Sequence, residues 1–269
     1  MEGLRQEIGR YVASQGIPAF AAADARVLDE KAPAGFRPSD MLPGARSALI
    51  FVKPLPLAVF QTPEEYKNAF YVRSFATYYH LMDQTANNVC LMLEGAGYPS
   101  LPIPSYSPLR FVDGEVRGLF SLKHAAEEAG LGKMGRNSLL IHPKFGNVVR
   151  LGGLLTAMEW PFSGPGDFPK LCPPSCELCR KACPVDAIRD RAIEKSKCLG
   201  NCISHTLLPP ASAMQPLRRM LSKSPRLMAF MELFSLNFFE SYGISCTRCL
   251  KACPHFPGNR KGKSFSKPS

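Results

Sequence analysis

Apolar residues at four-residue spacing open the chain: Leu4, Ile8 and Val12 predict an amphipathic helix over residues 2–15. Ser47 to Val52 (SALIFV) is a short continuous apolar run between Gly44 and Pro54, the pattern of a buried strand. Thr62-Pro63-Glu64-Glu65 predicts a helix start, with Thr62 as N-cap and Pro63 in the first turn, and the helix runs to about Gly95. Residues 121–129 predict another helix, stopped by Gly130. Ser138 to His142 and Val148 to Ala157 predict strands, and residues 214–240 a further helix. Helices alternating with strands imply a layered α/β arrangement in the first part of the chain.

Cysteine placement changes this picture. Of ten cysteines, only Cys90 precedes residue 171. The Gly- and Pro-rich segment Ser163 to Pro174 reads as a linker. The expected division is an α/β cofactor domain at 1–165, a cysteine-rich domain at 166–258 and a basic tail at 259–269. Cys176-x2-Cys179-x3-Cys183-Pro184 recurs as Cys246-x2-Cys249-x3-Cys253-Pro254. Thiolates suit iron, and paired Cys-x2-Cys loops ending in Cys-Pro are the pattern of a bacterial ferredoxin-like domain with two [4Fe–4S] clusters. In such modules the cysteine before proline ligates the other cluster. One cluster then takes Cys172, Cys176, Cys179 and Cys253. The second takes Cys183, Cys246, Cys249 and either Cys198 or Cys202, between which spacing does not choose. A zinc site from the two Cys-x2-Cys pairs is the rival, and it leaves Cys172 and the doubled Cys-Pro without a role. Cys90, among Val89, Leu91 and Met92, reads as an ordinary buried cysteine.

Net charge is +11, with no acid after Glu240. That charge suits an acidic redox partner, an anionic cofactor or nucleic acid, or simply a solvated basic surface. The first residues lack a long apolar segment, and the apolar stretch Leu227 to Phe239 is interrupted by Glu232 and too short for a bilayer. The expectation is a cytoplasmic protein without membrane insertion, where ten cysteines point to metal before disulfides.

Gly130, Gly132 and Gly135 match G-x-G-x-x-G, but a helix precedes them and an apolar strand follows, the reverse of a dinucleotide site. Two readings stay open: a helix stop with a tight turn, or a backbone laid flat against a planar cofactor.

The stretch His124 to Thr156, HAAEEAGLGKMGRNSLLIHPKFGNVVRLGGLLT, followed by the paired Cys-Pro motifs, resembles epoxyqueuosine reductases and the shared core of reductive dehalogenases. The resemblance covers roughly residues 45–257. It implies an α+β protein, a nitroreductase-like domain holding base-off cobalamin followed by the 2[4Fe–4S] domain. It implies a reductase supplied by a donor such as a ferredoxin or flavodoxin, with tRNA as a partner. By position, Gly130, Leu131, Gly132, Lys133, Met134, Gly135, Asn137 and Ser138 would lie near the corrin. Lys133 and Arg136 would meet its amide or phosphate groups. Cys202-Ile203-Ser204-His205 is similar to the family's lone ligand context, which favours Cys202 over Cys198. The family's Asp-Thr-Ala-Pro-like motif is absent where counting back from Ala129 places it, near Val116. Asp113, Tyr106 and Glu115 are the candidate proton donors close by. The sequence also ends soon after Cys253, so the expectation is a short form without the family's helical-repeat region. A corrinoid-handling protein and a ferredoxin-type electron-transfer subunit are the alternatives.

Overall fold

The computed structural model describes residues 2–106, 109–112, 115–162, 164–190, 192–202 and 246–259. Asp113 and the expected helix at 214–240 lie outside them. At the centre is a four-stranded antiparallel sheet in the order β1 (Ala19–Asp24), β2 (Ser47–Pro54), β8 (Val149–Thr156), β3 (Ser100–Ile103). The fold is mixed helix and sheet, and the strands are antiparallel.

Strand β2 shows why the sheet forms here. Ser47 through Val52 are all buried. Leu49 and Phe51 pack with Leu154 against helix α1 (Glu2–Ser14) and the long helix α4 (Glu64–Gly95). Ala48, Ile50 and Val52 point the other way, onto Leu28 of α2 (Ala25–Lys31) and onto Leu122, Ala125 and Ala126 of α5 (Leu122–Glu128). A strand covered on both faces needs no polar alternation, which is why SALIFV reads as a continuous run. Each such fully buried large side chain contributes roughly 1.5–3 kcal/mol of transfer free energy. Helix α4 lies close on β8 at Gly152, where a Cβ would come 2.6 Å from that of Met82. Cys90 is buried in this layer, as its apolar neighbours imply.

The helix start differs in detail. Helix α4 begins at Glu64 with Pro63 at the cap, and Thr62 Oγ1 instead donates to the Ala58 carbonyl at 3.1 Å. Leu57–Phe60 already form a 3-10 turn, so the Thr62 hydroxyl is committed backwards.

A four-residue helix α3 (Pro38–Met41) follows α2. Two small hairpins decorate the sheet. Strand β4 (Leu109–Val112) pairs with β5 (Glu115–Gly118), and β6 (Lys133–Met134) pairs with β7 (Leu140–Ile141). The cysteine-rich part carries short helices α6 (Leu178–Lys181), α7 (Lys195–Cys202) and α8 (Arg248–Lys251). It is anchored to the sheet part by a third apolar cluster, in which Leu55, Phe60, Tyr71, Phe75 and Val148 meet Leu250 and Phe256. Phe60 and Phe256 stack edge to face at 5.7 Å, and Asn147 Nδ2 donates to the Leu250 carbonyl at 2.9 Å.

Candidate metal centre

Cysteine loops form where the chain turns tightly. Cys176 and Cys179 flank the start of α6, and Cys172 precedes them with φ of +58°. A non-glycine residue in that region is uncommon and stays there only when its surroundings hold it. Here the Arg136 backbone N–H donates to Cys172 Sγ at 3.2 Å. The Arg136 side chain then ties the cysteine loop down, donating to the Pro174 carbonyl at 2.7 Å and pairing with Asp190, with Glu177 3.9 Å away.

Cys172, Cys176, Cys179 and Cys253 line one cavity, of about 350 Å³ including its open side. Cys253 follows Cys179, the last of the other three, only after a long stretch of chain, yet the fold brings it to them. Burial pushes the Cys253 thiol up to about 11, and the thiols of Cys172, Cys179 and Cys176 nearby add to the rise. Burial also raises Cys179, with Cys172 and Cys176 adding to it. Thiolate is the metal-binding form of a cysteine, and a bound cation offsets the charge that burial disfavours. Among the described residues, no group of three or more Cys, His, Asp or Glu is drawn together tightly enough to hold a single ion. These cysteines surround a volume instead.

A second set lies beside it. Cys198 and Cys202 stand one turn apart on α7, with sulfurs 3.9 Å apart. The Cys202 thiol is pushed strongly up by its hydrogen bonds to Cys198 and Cys246 and by burial. Cys198 is lowered, chiefly by its hydrogen bond with Cys202. Cys249 rises to about 12 by burial, with Cys246, Cys198 and Cys179 within electrostatic reach and the Asn137 amide opposing the rise. Both candidates for the last ligand are therefore in place. The Cys183 sulfur accepts from the Ala187 N–H at 3.3 Å.

The glycine segment turns out to be a hairpin. Leu131 N–H bonds the Ala126 carbonyl and Gly130 N–H the Glu127 carbonyl, the paired bonds of a Schellman helix end, with Gly130 at φ +73°. A Cβ at Gly132 would stand 2.4 Å from the Ile141 carbonyl oxygen across β6–β7. These glycines therefore have reasons within the chain's own packing. Leu131, Met134 and Asn137 are buried, whereas Lys133 and Ser138 stay partly exposed. The hairpin tip carries Arg136 and Asn137 to the cysteines. As for the histidines, His124 Nδ1 meets Ser121 Oγ at 2.5 Å, and His142 Nδ1 accepts the N–H groups of Lys144 and Phe145.

Of the proton-donor candidates, Tyr106 stacks on Tyr79 at 5.2 Å. Its hydroxyl is pushed well up by burial and by Tyr79, against the opposing pull of Arg150. Glu115 lies at the start of β5, opposite Val112. Arg150, which the motif reading did not single out, is a cation in the otherwise apolar strand β8. Its guanidinium lies over the rings of Tyr71 and Phe75 and donates to Tyr71 Oη at 2.5 Å, while its Nε is buried with no partner among the described residues. A lone arginine inside the run VVRLGGLL was the available signal.

A protein of Synechococcus sp. (strain RCC307) is 33% identical over 168 residues, covering 62% of this chain and 48% of its own. One from Staphylococcus aureus (strain NCTC 8325 / PS 47) is 26% identical over 201 residues, again 48% of its length. Both carry the same name. The curated relatives are epoxyqueuosine reductases. This chain spans about half the length of those relatives. No family model matches. Among solved structures, an epoxyqueuosine reductase with an epoxyqueuosine-modified tRNA stem loop superposes with a TM-score of 0.61 at 18% identity, over 98% of this chain and 67% of that one. A reductive dehalogenase described as performing B12-dependent dehalogenation gives 0.56 at 14% identity, over 87% of this chain and 36% of its own. These structural likenesses are ones of fold. Among the described residues no helix is long and apolar enough to cross a membrane.

Proposed function

We propose that this chain is an iron–sulfur oxidoreductase of the epoxyqueuosine reductase kind, holding two [4Fe–4S] clusters and a cobalamin and using low-potential electrons for a reductive reaction. The observation that carries the reading is the gathering of Cys253 with Cys172, Cys176 and Cys179 around one cavity. Those four would hold one cluster. Cys183, Cys202, Cys246 and Cys249 would hold the other, in a ferredoxin-like domain at 166–258 beside a nitroreductase-like domain at 1–165. The buried Asn137 amide beside the Cys249 thiol and the Arg136 N–H on Cys172 fit this assignment, since cysteinyl and cluster sulfurs are acceptors.

The fit to a corrin is that of an edge and not of a floor. Gly130, Gly132 and Gly135 are filled in by the chain's own atoms. Lys133 and Ser138, partly exposed, are the residues of that segment that would meet the ring's periphery, and the others support them from behind. Bound cobalamin would supply a cobalt centre able to act as a strong nucleophile once reduced. Tyr106 keeps its phenolic proton at neutral pH because burial disfavours the phenolate, which suits a donor of a proton to a leaving oxygen or halide. Asp113 and Glu115 are the acidic alternatives. A ferredoxin or flavodoxin is the proposed electron donor. tRNA is the proposed substrate-bearing partner, supported by the +11 charge and by the tRNA-bound relative.

Anaerobic reconstitution followed by iron analysis and titration with cob(II)alamin tests this. About eight iron atoms per chain are expected, the content of two cubanes, together with a changed cobalt EPR spectrum. Stoichiometric zinc without iron refutes the cluster assignment. An unchanged cobalt spectrum leaves a two-cluster electron-transfer subunit.

A further inference from the structure

Asn137 touches both cysteine sets. It sits in the turn closed by the Ser138 N–H on the Gly135 carbonyl, at the tip of the β6–β7 hairpin. It is 4% exposed. On one side it lines the cavity of Cys172, Cys176, Cys179 and Cys253, with Gly135 and His255 as neighbours. On the other, its amide lies beside Cys249. Its Oδ1 accepts the Leu139 N–H at 3.4 Å, which turns the nitrogen away from the hairpin backbone. That nitrogen is buried, the Cys249 thiol is the acceptor beside it, and it makes no hydrogen bond to any other described residue.

A buried carboxamide nitrogen carries two N–H donors, and leaving them unmade is costly. The only acceptors that the chemistry of the site would bring to them are cluster and cysteinyl sulfurs. A cluster gains negative charge on reduction, so an N–H···S contact strengthens in the reduced state and raises the reduction potential. One amide between two clusters would act on both.

Building on the two-cluster reading above, we propose that Asn137 is a positioning residue set between the clusters, its carboxamide offering one N–H to each and raising both reduction potentials. The segment that the resemblance assigns to the corrin thereby gains a second task, at the iron–sulfur sites.

An EPR-monitored redox titration of the loaded chain tests this. In Asn137→Leu, which keeps the bulk and removes the donors, iron content should stay at the wild-type value while both midpoints fall. A reduced-to-oxidised ratio about tenfold lower at fixed potential is expected, ~59 mV for a one-electron couple. Unmoved midpoints, or movement of one alone, overturn the proposal. If Asn137→Leu takes up less iron, Asn137→Met, also uncharged and without a side-chain N–H, decides by the same criterion. Pulsed EPR on the reduced wild type with 15N in asparagine side chains needs no variant. Nitrogen coupling to both clusters is expected, and its absence overturns the proposal. A wild type that takes up no iron overturns the functional reading and this proposal with it. A loaded wild type whose midpoints ignore Asn137 overturns the proposal alone.

Discussion

Replacing Gly132 by alanine puts the hairpin itself under test. The added methyl would stand 2.4 Å from the Ile141 carbonyl oxygen, 3.0 Å from its carbon and 3.2 Å from His142 Cα. All three are backbone atoms of or next to β7, the partner strand of β6, so no side chain can rotate out of the way. The hairpin must open by several tenths of an ångström, and its tip carries the Arg136 N–H that binds Cys172. Overpacking of this kind costs about 1–3 kcal/mol. For a protein of this size each kcal/mol lowers Tm by roughly 2–4 °C, so a fall of about 2–12 °C is expected. Gly95→Ala is the matched control. It ends helix α4, and a Cβ there meets nothing within 4 Å, so a neutral effect or a gain of up to ~1 kcal/mol is expected. Circular dichroism melts of the anaerobically loaded chain, with iron release to a chelator followed in parallel, read both effects. Gly132→Ala should melt lower and release iron faster. If it melts with the wild type, or if Gly95→Ala costs as much, the hairpin does not hold the cysteine loop in the way described.

Cys202→Ala should lose about half of its iron and Cys198→Ala should keep it, as read by iron per chain and EPR spin count; the reverse result reassigns the ligand. Burial lifts the Cys90 thiol to about 12, and thiolate is the reactive form, so iodoacetamide should leave Cys90 unmodified in the folded chain and label it after denaturation, by peptide mass spectrometry. Asp24 is held below the usual carboxylate value, first by its hydrogen bond to the Arg26 side chain, and it caps α2 through the Arg26 N–H at 2.9 Å. A carboxylate lowered in the folded state contributes stability above its unfolded value, near 3.9, and loses it as pH falls through the lower folded one. Asp24→Ala should cost roughly 0.5–2 kcal/mol at pH 7 and show a shallower loss of Tm below about pH 4 than the wild type; an equal acid slope counts against the capping role.

The parts legible in the sequence were those whose cause is local. SALIFV reads as a buried strand because the five residues after Ser47 are all apolar, whichever way they face. Gly130 reads as a helix stop because positive φ is cheap only without a Cβ. Strand β1 escaped this reading. Its sequence AFAAAD has low strand propensity, and its pairing with β2 from Ala19↔Val52 to Asp24↔Ser47 supplies what the residues lack. Ser138 to His142, by contrast, reads as one strand, yet only Leu140 and Ile141 pair with β6, because Ser138 takes positive φ to close the hairpin turn and His142 bridges Gly146 instead.

The metal centre divides along the same line. Cys-x2-Cys spacing is legible because two cysteines on one short turn face one site whatever the rest of the chain does. What the spacing leaves open is decided at long range: Cys198 and Cys202 both reach Cys246, and one helical turn separates them, so neither spacing nor α7 prefers one. The role of Arg136 was hidden for a related reason. A cation beside glycines looks like an anion contact in sequence, and only the hairpin's closure turns it onto Asp190 and Pro174. Position in a motif thus identifies residues that must lie near a site, while the hydrogen bonds of the folded chain decide which part of the site each one serves. By that criterion the glycine segment serves the cysteine loops first, through the Arg136 N–H on Cys172 and the Asn137 amide beside Cys249, and leaves only Lys133 and Ser138 of its side chains partly exposed beside the buried Leu131 and Met134.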